Sequence, residues 1–252
     1  MQTNNRQNLI CSYIQEKQTV RVSELISKFH VTDMTIRRDL DKLEETGLIV
    51  RFHGGARAAE GSTEFSFSTR TVENAEKKRQ IAQRALERIP DHCTLYIDGS
   101  TTCNEIVRIL PQDKKVTVFT DSFEALLLLR NRLDTVSVFL IGGELSKDSN
   151  TLDGYIAVET AQKLFVDLCF ISCGGFTTEG FTNPGITGSQ VKKIMLKNAK
   201  TRYLLADSTK YNRRGLYMLG GWSAIDTLIT DDGLEEKAQI ELRSRLNELI
   251  LA

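Results

Sequence analysis

The sequence holds no apolar run approaching the ~18 residues that a membrane-spanning helix needs. Its first residues, MQTNNRQNLICSYIQEK, lack the basic-then-apolar order of a secretory signal. The chain is therefore expected to stay in the cytoplasm, with no membrane partner. Neither sign of charge is in excess: 33 Lys and Arg face 33 Asp and Glu, so overall charge gives no hint of nucleic acid. Histidine is scarce, with three in all and none beyond His92. The five cysteines, at 11, 93, 103, 169 and 173, are odd in number and mostly lie in apolar runs, which excludes a disulfide framework as the basis of the fold. Cys169 and Cys173 have no His or second Cys pair nearby and read as small buried residues. No metal, no cofactor and no catalytic residue is expected, and no internal repeat or low-complexity tract is visible.

The first 57 residues carry the clearest pattern. Leu9, Ile10, Tyr13 and Ile14 recur at helical spacing and imply an amphipathic helix ending near Lys17. Ser23 is a candidate N-cap for a second, short helix with Leu25, Ile26 and Phe29 inward. His30 and Val31 form a tight turn, and Thr32 caps a third helix, DMTIRRDLDKLEETG, expected to stop at Gly47 in a left-handed C-cap. Three short helices with a tight turn before the last make a helix-turn-helix.

Charge cannot argue for DNA here. In residues 1–56, eight basic residues (6, 17, 21, 28, 37, 38, 42, 51) oppose seven acidic ones (16, 24, 33, 39, 41, 44, 45), a net of +1. Position can. At about 100° per residue, Ile36, Leu40 and Leu43 share the inward side of the third helix. Arg38 then lies opposite, flanked by Met34, Thr35 and Lys42, with Arg37 at the shoulder. Guanidinium groups and a hydroxyl near a helix N-terminus suit guanine edges, phosphates and thymine methyls in a major groove. The competing reading is a solvated face with Arg37 and Arg38 paired to Asp39 and Asp41. LIVRFHGGA next alternates apolar and polar residues and turns on Gly54–Gly55, a β-hairpin wing presenting Arg51, His53 and Arg57.

Taken together, VSELISKFHVTDMTIRRDLDKLEETGLIVRFHGGA closely resembles the N-terminal signature of DeoR-type bacterial regulators. The resemblance implies that the helix containing Thr35, Arg37 and Arg38 reads double-stranded operator DNA. The candidate contacts are then Thr32, Met34, Thr35, Arg37, Arg38 and Lys42, with Arg51 and His53 from the wing.

Residues 58–75 show no sustained periodicity and read as a linker, with a short ordered piece around Phe65–Phe67. EKKRQIAQRALERI then reads as a helix with Ile81, Ala82, Ala85 and Ile89 inward and Lys77, Lys78 and Arg79 on a solvated face. From there to residue 252, strand candidates at 94–98, 116–119, 136–141, 168–172, 202–206 and 227–230 alternate with helical stretches near 102–110, 122–132, 156–165, 189–199 and 235–247. Such alternation implies an α/β domain (76–252) with a mostly parallel sheet and helices on both faces.

In such sheets ligands bind beyond the carboxyl ends of the strands, and six of the ends here carry Gly, hydroxyl or charged residues. Gly99-Ser-Thr-Thr enters a helix, where backbone N–H groups favour an anion, although Thr102 and Glu105 also fit a simple capping box. Lys210, Lys192 and Lys193 could supply cations. DGSTT, GGE, GSQVKKIM and DSTKY resemble, in order and spacing, the sensor domain of DeoR-type regulators. That resemblance implies a ribose-5-phosphate-isomerase-like fold binding a phosphorylated sugar or related metabolite. It assigns the phosphate loop to Asp98, Gly99, Ser100, Thr101 and Thr102, and the crevice wall to Ser122, Gly142, Gly143, Lys192 and Lys210. The chain departs from the family pattern at Asp121, where relatives usually carry Asn, and at Thr187–Gly188, where they often carry Glu.

The expected function is a transcriptional regulator, a repressor of a carbohydrate-metabolism operon relieved by a phosphorylated sugar and acting as a homodimer or homotetramer. An activator of the same architecture and a sugar-phosphate isomerase-like enzyme are the alternatives. The enzyme needs an acid–base pair converging on the ligand, and the loop after Cys173 offers only Glu179.

Overall fold

The computed structural model describes residues 3–45, 49–58, 67–146 and 149–252. They form two compact units, Met1–Asn74 and Ala75–Ala252.

The first unit runs α1 (Thr3–Lys17), β1 (Thr19–Arg21), α2 (Val22–Phe29), α3 (Asp33–Glu45), β2 (Ile49–Phe52), β3 (Gly55–Ala58) and α4 (Phe67–Val72). Its core joins Ile10 and Ile14 of α1, Leu25 of α2, Ile36, Leu40 and Leu43 of α3, and Ile49 of the wing. The inward stripe expected of α3 is thus the buried one. His30 makes the turn in the left-handed region (φ 53°, ψ 44°), its N–H donating to Ile26 O at 2.9 Å. Thr32 caps α3, accepting from Thr35 N at 3.4 Å.

Two local expectations change. Ser23 lies inside α2 and does not cap it. The helix begins at Val22, two residues earlier than a Ser23 cap implies, and Val22 N donates at 2.9 Å to Gly54 O of the wing, so a turn carbonyl satisfies one of the helix's unpaired donors. The wing also turns one residue earlier than expected. Phe52 pairs with Gly55 across His53–Gly54, and Gly54 takes the positive φ of +85°. The wing sheet has the order β1-β3-β2. The stop at Gly47 lies outside the described residues, as do residues 59–66 of the stretch read as linker. Its described end forms α4, which packs on α1.

The second unit starts with α5 (Ala75–Leu86), β4 (Thr94–Ile97), α6 (Thr101–Ile109), β5 (Val116–Thr120), α7 (Phe123–Leu129) and β6 (Val136–Leu140). A small hairpin follows, β7 (Glu144–Leu145) with β8 (Leu152–Asp153), then α8 (Gly154–Ala161), β9 (Val166–Ile171), β10 (Gly175–Thr177) and β11 (Gly180–Asn183). The chain continues through α9 (Thr187–Lys197), β12 (Ala199–Leu205), a 3-10 turn (Ser208–Lys210), β13 (Tyr217–Gly220) and β14 (Thr227–Thr230), and ends with α10 (Glu236–Arg243) and β15 (Glu248–Leu251).

Seven strands form one sheet in the order β15-β14-β12-β9-β4-β5-β6, every neighbouring pair parallel. Alternate residues of the central strands enter opposite cores. Leu168 and Phe170 join Ile81, Ala82, Ile106 and Leu129 from α5, α6 and α7. Cys169 and Ile171 join Ala157, Val191, Met195 and Leu242 from α8, α9 and α10. Period-two alternation in a sheet buried on both faces thus sorts the side chains into two layers. All five cysteines are buried and free, four of them inside these two cores, and no metal-binding group of His, Cys, Asp or Glu occurs among the described residues.

Gly55 gives a direct test of the wing. A Cβ there would sit 2.4 Å from Val20 O and 2.5 Å from the Phe52 ring. Gly55→Ala is expected to destabilise the first unit by ~1–3 kcal/mol, read as a lower urea midpoint of the full chain at its earliest transition.

Candidate functional site

On α3 the charges divide by position. Arg37 is half exposed and bonds to Asp33 one turn earlier, Nε to Oδ2 at 2.7 Å. Asp39 is buried, held by Arg6 through Nε at 2.7 Å and Nη2 at 3.3 Å and by Gln7 Nε2 at 2.8 Å, which ties α3 to α1. Asp41 pairs with Arg51 Nη1, and Glu44 Oε1 accepts Arg51 N at 2.9 Å. Neither acid therefore neutralises Arg38, which is exposed and has no ion-pair partner among the described residues. The pairing expected under the solvated-face reading is replaced by these three contacts.

Met34 is 75% exposed, Thr32 and Lys42 are exposed, and the Thr35 hydroxyl lies 2.9 Å from that of Thr32. His53 stands exposed at the tip of the wing. Arg51 is different: its guanidinium is held on α3, which makes it a strut between wing and helix. Asp39 was missed as a structural residue, although its position three after Ile36 borders the inward stripe.

In the second unit, five adjacent strands end in a row of buried polar residues. In sheet order these are Asp231 after β14, Asp207 after β12, Ser172 after β9, Asp98 after β4 and Asp121 after β5. Lysines from three different elements reach this row. Lys192 Nζ, from α9, lies 2.7 Å from Asp98 Oδ2 and donates to Ser172 O at 3.0 Å. Lys210 Nζ, from the 3-10 turn, donates to Ser172 Oγ at 3.1 Å and lies 3.9 Å from Asp207 Oδ2. Lys77 Nζ, from the first turn of α5, donates to both Asp231 Oδ2 and Ser208 Oγ at 2.8 Å.

Lys77 is thus part of the strand-end row, and Lys78 beside it is buried, so neither occupies the solvated face expected of them. Lys193 also departs from expectation, lying 4.6 Å over the Tyr217 ring, away from the row.

The β4–α6 loop is shaped by its own residues. Asp98 accepts Ser100 N at 3.0 Å and Ser172 N at 2.9 Å. Ser100, not Thr102, caps α6, accepting Cys103 N at 3.1 Å. Thr101 and Thr102 are buried, and Thr102 Oγ1 has no partner. A Cβ on Gly99 would lie 2.0 Å from Thr151 Cγ2, so only glycine lets the loop pass there. Ser122 caps α7 and donates to Asn104 Oδ1 at 3.0 Å. Gly142 and Gly143 both have positive φ, and a Cβ on Gly143 would meet Asp153 O at 2.3 Å. The structure thus joins Asp98, Lys192 and Lys210 through Ser172. Gly142 and Gly143 make no bond to that group among the described residues.

Charge in this row is uneven. Burial opposes ionisation of Asp98, but the Lys192 ammonium and the Ser100 and Ser172 N–H groups outweigh it and hold the carboxyl below its ordinary range. Burial likewise opposes ionisation of Asp231, and Lys77 and Ser208 hold it low. Asp121 has no lysine of its own. Burial, then the neighbouring Asp98 charge, pushes it up to about 7. Asp121 Oδ1 and the Tyr96 hydroxyl close to it are both buried, and neither completes a well-formed hydrogen bond.

A winged helix-turn-helix followed by a parallel α/β unit with a polar strand-end row defines a two-domain DNA-binding regulator. The chain belongs to the DeoR family: residues 6–61 match the DeoR-like helix-turn-helix domain and residues 73–232 the DeoR C terminal sensor domain. It is 34% identical over 232 residues to the uncharacterized HTH-type transcriptional regulator YulB of Bacillus subtilis, covering 91% of this chain and 89% of that one. Over 226 residues it is 30% identical to the HTH-type transcriptional regulator IolR of the same organism (89% and 90%). Over 232 residues it is 27% identical to the glycerol-3-phosphate regulon repressor of Escherichia coli (92% of each). Ribose 5 phosphate isomerase A from Neisseria gonorrhoeae superposes at a TM-score of 0.41 with 18% identity over 55% of this chain and 54% of that one, too distant to fix the fold alone. No helix among the described residues is long and apolar enough to cross a membrane.

Because the folded-state pKa of Asp121 is raised, its contribution to stability is full below the unfolded-state value near 4 and is lost as pH rises through about 7. Asp121→Asn removes that loss. The variant is expected to exceed the parent in stability at pH 8 by on the order of 1 kcal/mol or more, with the advantage clearly smaller at pH 5 and vanishing only near pH 4; paired urea titrations at pH 8 and pH 5 check this.

Proposed function

We propose that the chain represses a carbohydrate-metabolism operon by binding operator DNA through α3 and the wing, and is released when a phosphorylated sugar or related metabolite enters the strand-end crevice. The observation that carries the sensor half is the meeting of Lys192 and Lys210 on Ser172, beside the glycine loop that opens α6. Two ammonium groups and the N–H groups of a helix start favour a phosphate dianion. Asp98 orients that loop through Ser100 N, and Thr101, Thr102 and Ser122 add hydroxyls beside it for the ligand. Gly142 and Gly143 give the opposite rim a backbone that can approach a ligand closely.

On the DNA side, Arg38 has no ion-pair partner among the described residues, and Met34, Thr35, Lys42 and Thr32 surround it. Arg37 reaches the DNA by exchanging its Asp33 partner for a phosphate or base edge. His53 is the wing's own contact, and Arg51 sets the wing against the helix. Operator half-sites call for at least two copies, so the acting form is read as a homodimer or homotetramer in the cytoplasm. The relatives' names as regulators and repressors support a non-enzymatic role.

Arg38→Ala is expected to weaken binding to a fragment selected from random-sequence DNA by ~1–3 kcal/mol without lowering thermal stability. Unchanged affinity removes Arg38 from the reading set. A thermal-shift screen of sugar phosphates addresses the sensor: a ligand at 100 times its dissociation constant adds ~2.7 kcal/mol. Lys210→Ala is expected to lose most of that gain while keeping its DNA affinity.

A further inference from the structure

The cluster at the end of β14 lies at the edge of the strand-end row, apart from the Ser172 meeting of Lys192 and Lys210. Asp231 is fully buried and receives Ser208 N at 2.6 Å, Ser208 Oγ at 2.7 Å, Gly233 N at 3.1 Å and Lys77 Nζ at 2.8 Å. Lys77 also donates to Ser208 Oγ at 2.8 Å, so lysine, serine and aspartate close a ring. Lys77 is in the first turn of α5, whose first residue, Ala75, is where the chain passes from the DNA-binding unit into the sensor unit.

Ser208 and Lys210 are the two ends of one 3-10 turn, none of whose residues is buried. Tyr211, the next residue, packs on Phe176, and polar links hold the turn itself on both sides. Lys210 ties it to Ser172, and through Ser172 to Asp98 and the β4–α6 loop. Ser208 ties it to Asp231 and Lys77. A ligand that draws Lys210 off Ser172 removes one of the turn's two polar ties and leaves the Lys77 ring to carry any movement of the turn. Beyond that first turn α5 is fixed by Ile81, Ala82 and Ala85, all fully buried. Any response is therefore confined to the residues next to the junction.

We infer that the Lys77–Asp231–Ser208 ring relays occupancy of the strand-end crevice to the first turn of α5, where the DNA-binding unit is attached. The inference rests on the reading of that crevice as an anion-binding sensor. Spatial continuity alone does not demonstrate coupling, so the test must separate binding from relay. The double variant Lys77→Met/Asp231→Asn removes both charges together and leaves no unpaired buried carboxylate. Inorganic phosphate and, in parallel, glycerol 3-phosphate serve as probes on the full chain. Binding is read by thermal shift, and the relay by hydrogen exchange of the amides of residues 77–80.

In the parent, bound probe is expected to change exchange at 77–80 by at least about threefold. In the double variant the probe should bind within about threefold of parental affinity, with the exchange change abolished. Ser208→Ala, which keeps both charges, should weaken the change without removing it. An undiminished change in the double variant overturns the relay, as does an unchanged first turn in a parent that binds the probe. If neither probe binds the parent, the anion-sensor reading fails first and the relay falls with it.

Discussion

Burying carboxylates is costly unless a cation lies beside each one, and the second unit does this along a whole sheet edge. Asp231, Asp207, Asp98 and Asp121 follow four of the five adjacent strands β14, β12, β9, β4 and β5, with Ser172 in the middle. Lys77, Lys210 and Lys192 answer the first three. Each comes from a different element, so neutralising the row also fixes α5, the 3-10 turn and α9 against the sheet. Four acids against three lysines leave one over, and it is Asp121, whose carboxyl holds its proton to about pH 7. The arrangement satisfies itself without a ligand, yet two of its lysines converge on a single serine. An incoming dianion would exchange partners with groups that are already charged and already placed, which lowers the reorganisation needed to bind it.

The DNA-binding unit divides its charges by the same rule. Arg6 and Gln7 take the buried Asp39, Arg51 takes Asp41, and Asp33 takes Arg37. A segment whose net charge is only +1 therefore still exposes the Arg38 guanidinium, with no ion-pair partner among the described residues, on the face of α3 away from the core. Near-neutrality reflects internal pairing, and it leaves the outward face of α3 basic.

Much of this was legible in the sequence because it is local. Ile36, Leu40 and Leu43 announce their face by spacing, and six of the seven parallel strands announce themselves by apolar runs between helical stretches. The seventh, β15, was missed because the helical reading of 235–247 ran through Ser244–Asn247 up to ELIL, although α10 ends at Arg243. The small antiparallel strands β10, β11 and β13 hide in a Gly- and Thr-rich stretch without alternation. Asp98, Lys192 and Lys210 could be named from strand ends and resemblance. Their partners could not: Lys77 meets residues 131 and 154 positions away, and no local period encodes such a pairing. The Ser23 cap failed similarly, because a wing carbonyl distant in sequence took over its role.

The central claim is that a charge row built at the strand ends receives a phosphorylated metabolite and thereby ends DNA binding. Fluorescence anisotropy of the full chain on a selected DNA fragment, titrated with sugar phosphates and with their unphosphorylated parent sugars, tests it most directly. The account predicts that at least one phosphate ester releases the DNA and that its parent sugar does not. Release by the unphosphorylated sugar at the same concentration, or retention of DNA against every phosphate ester while one of them is bound, would contradict it.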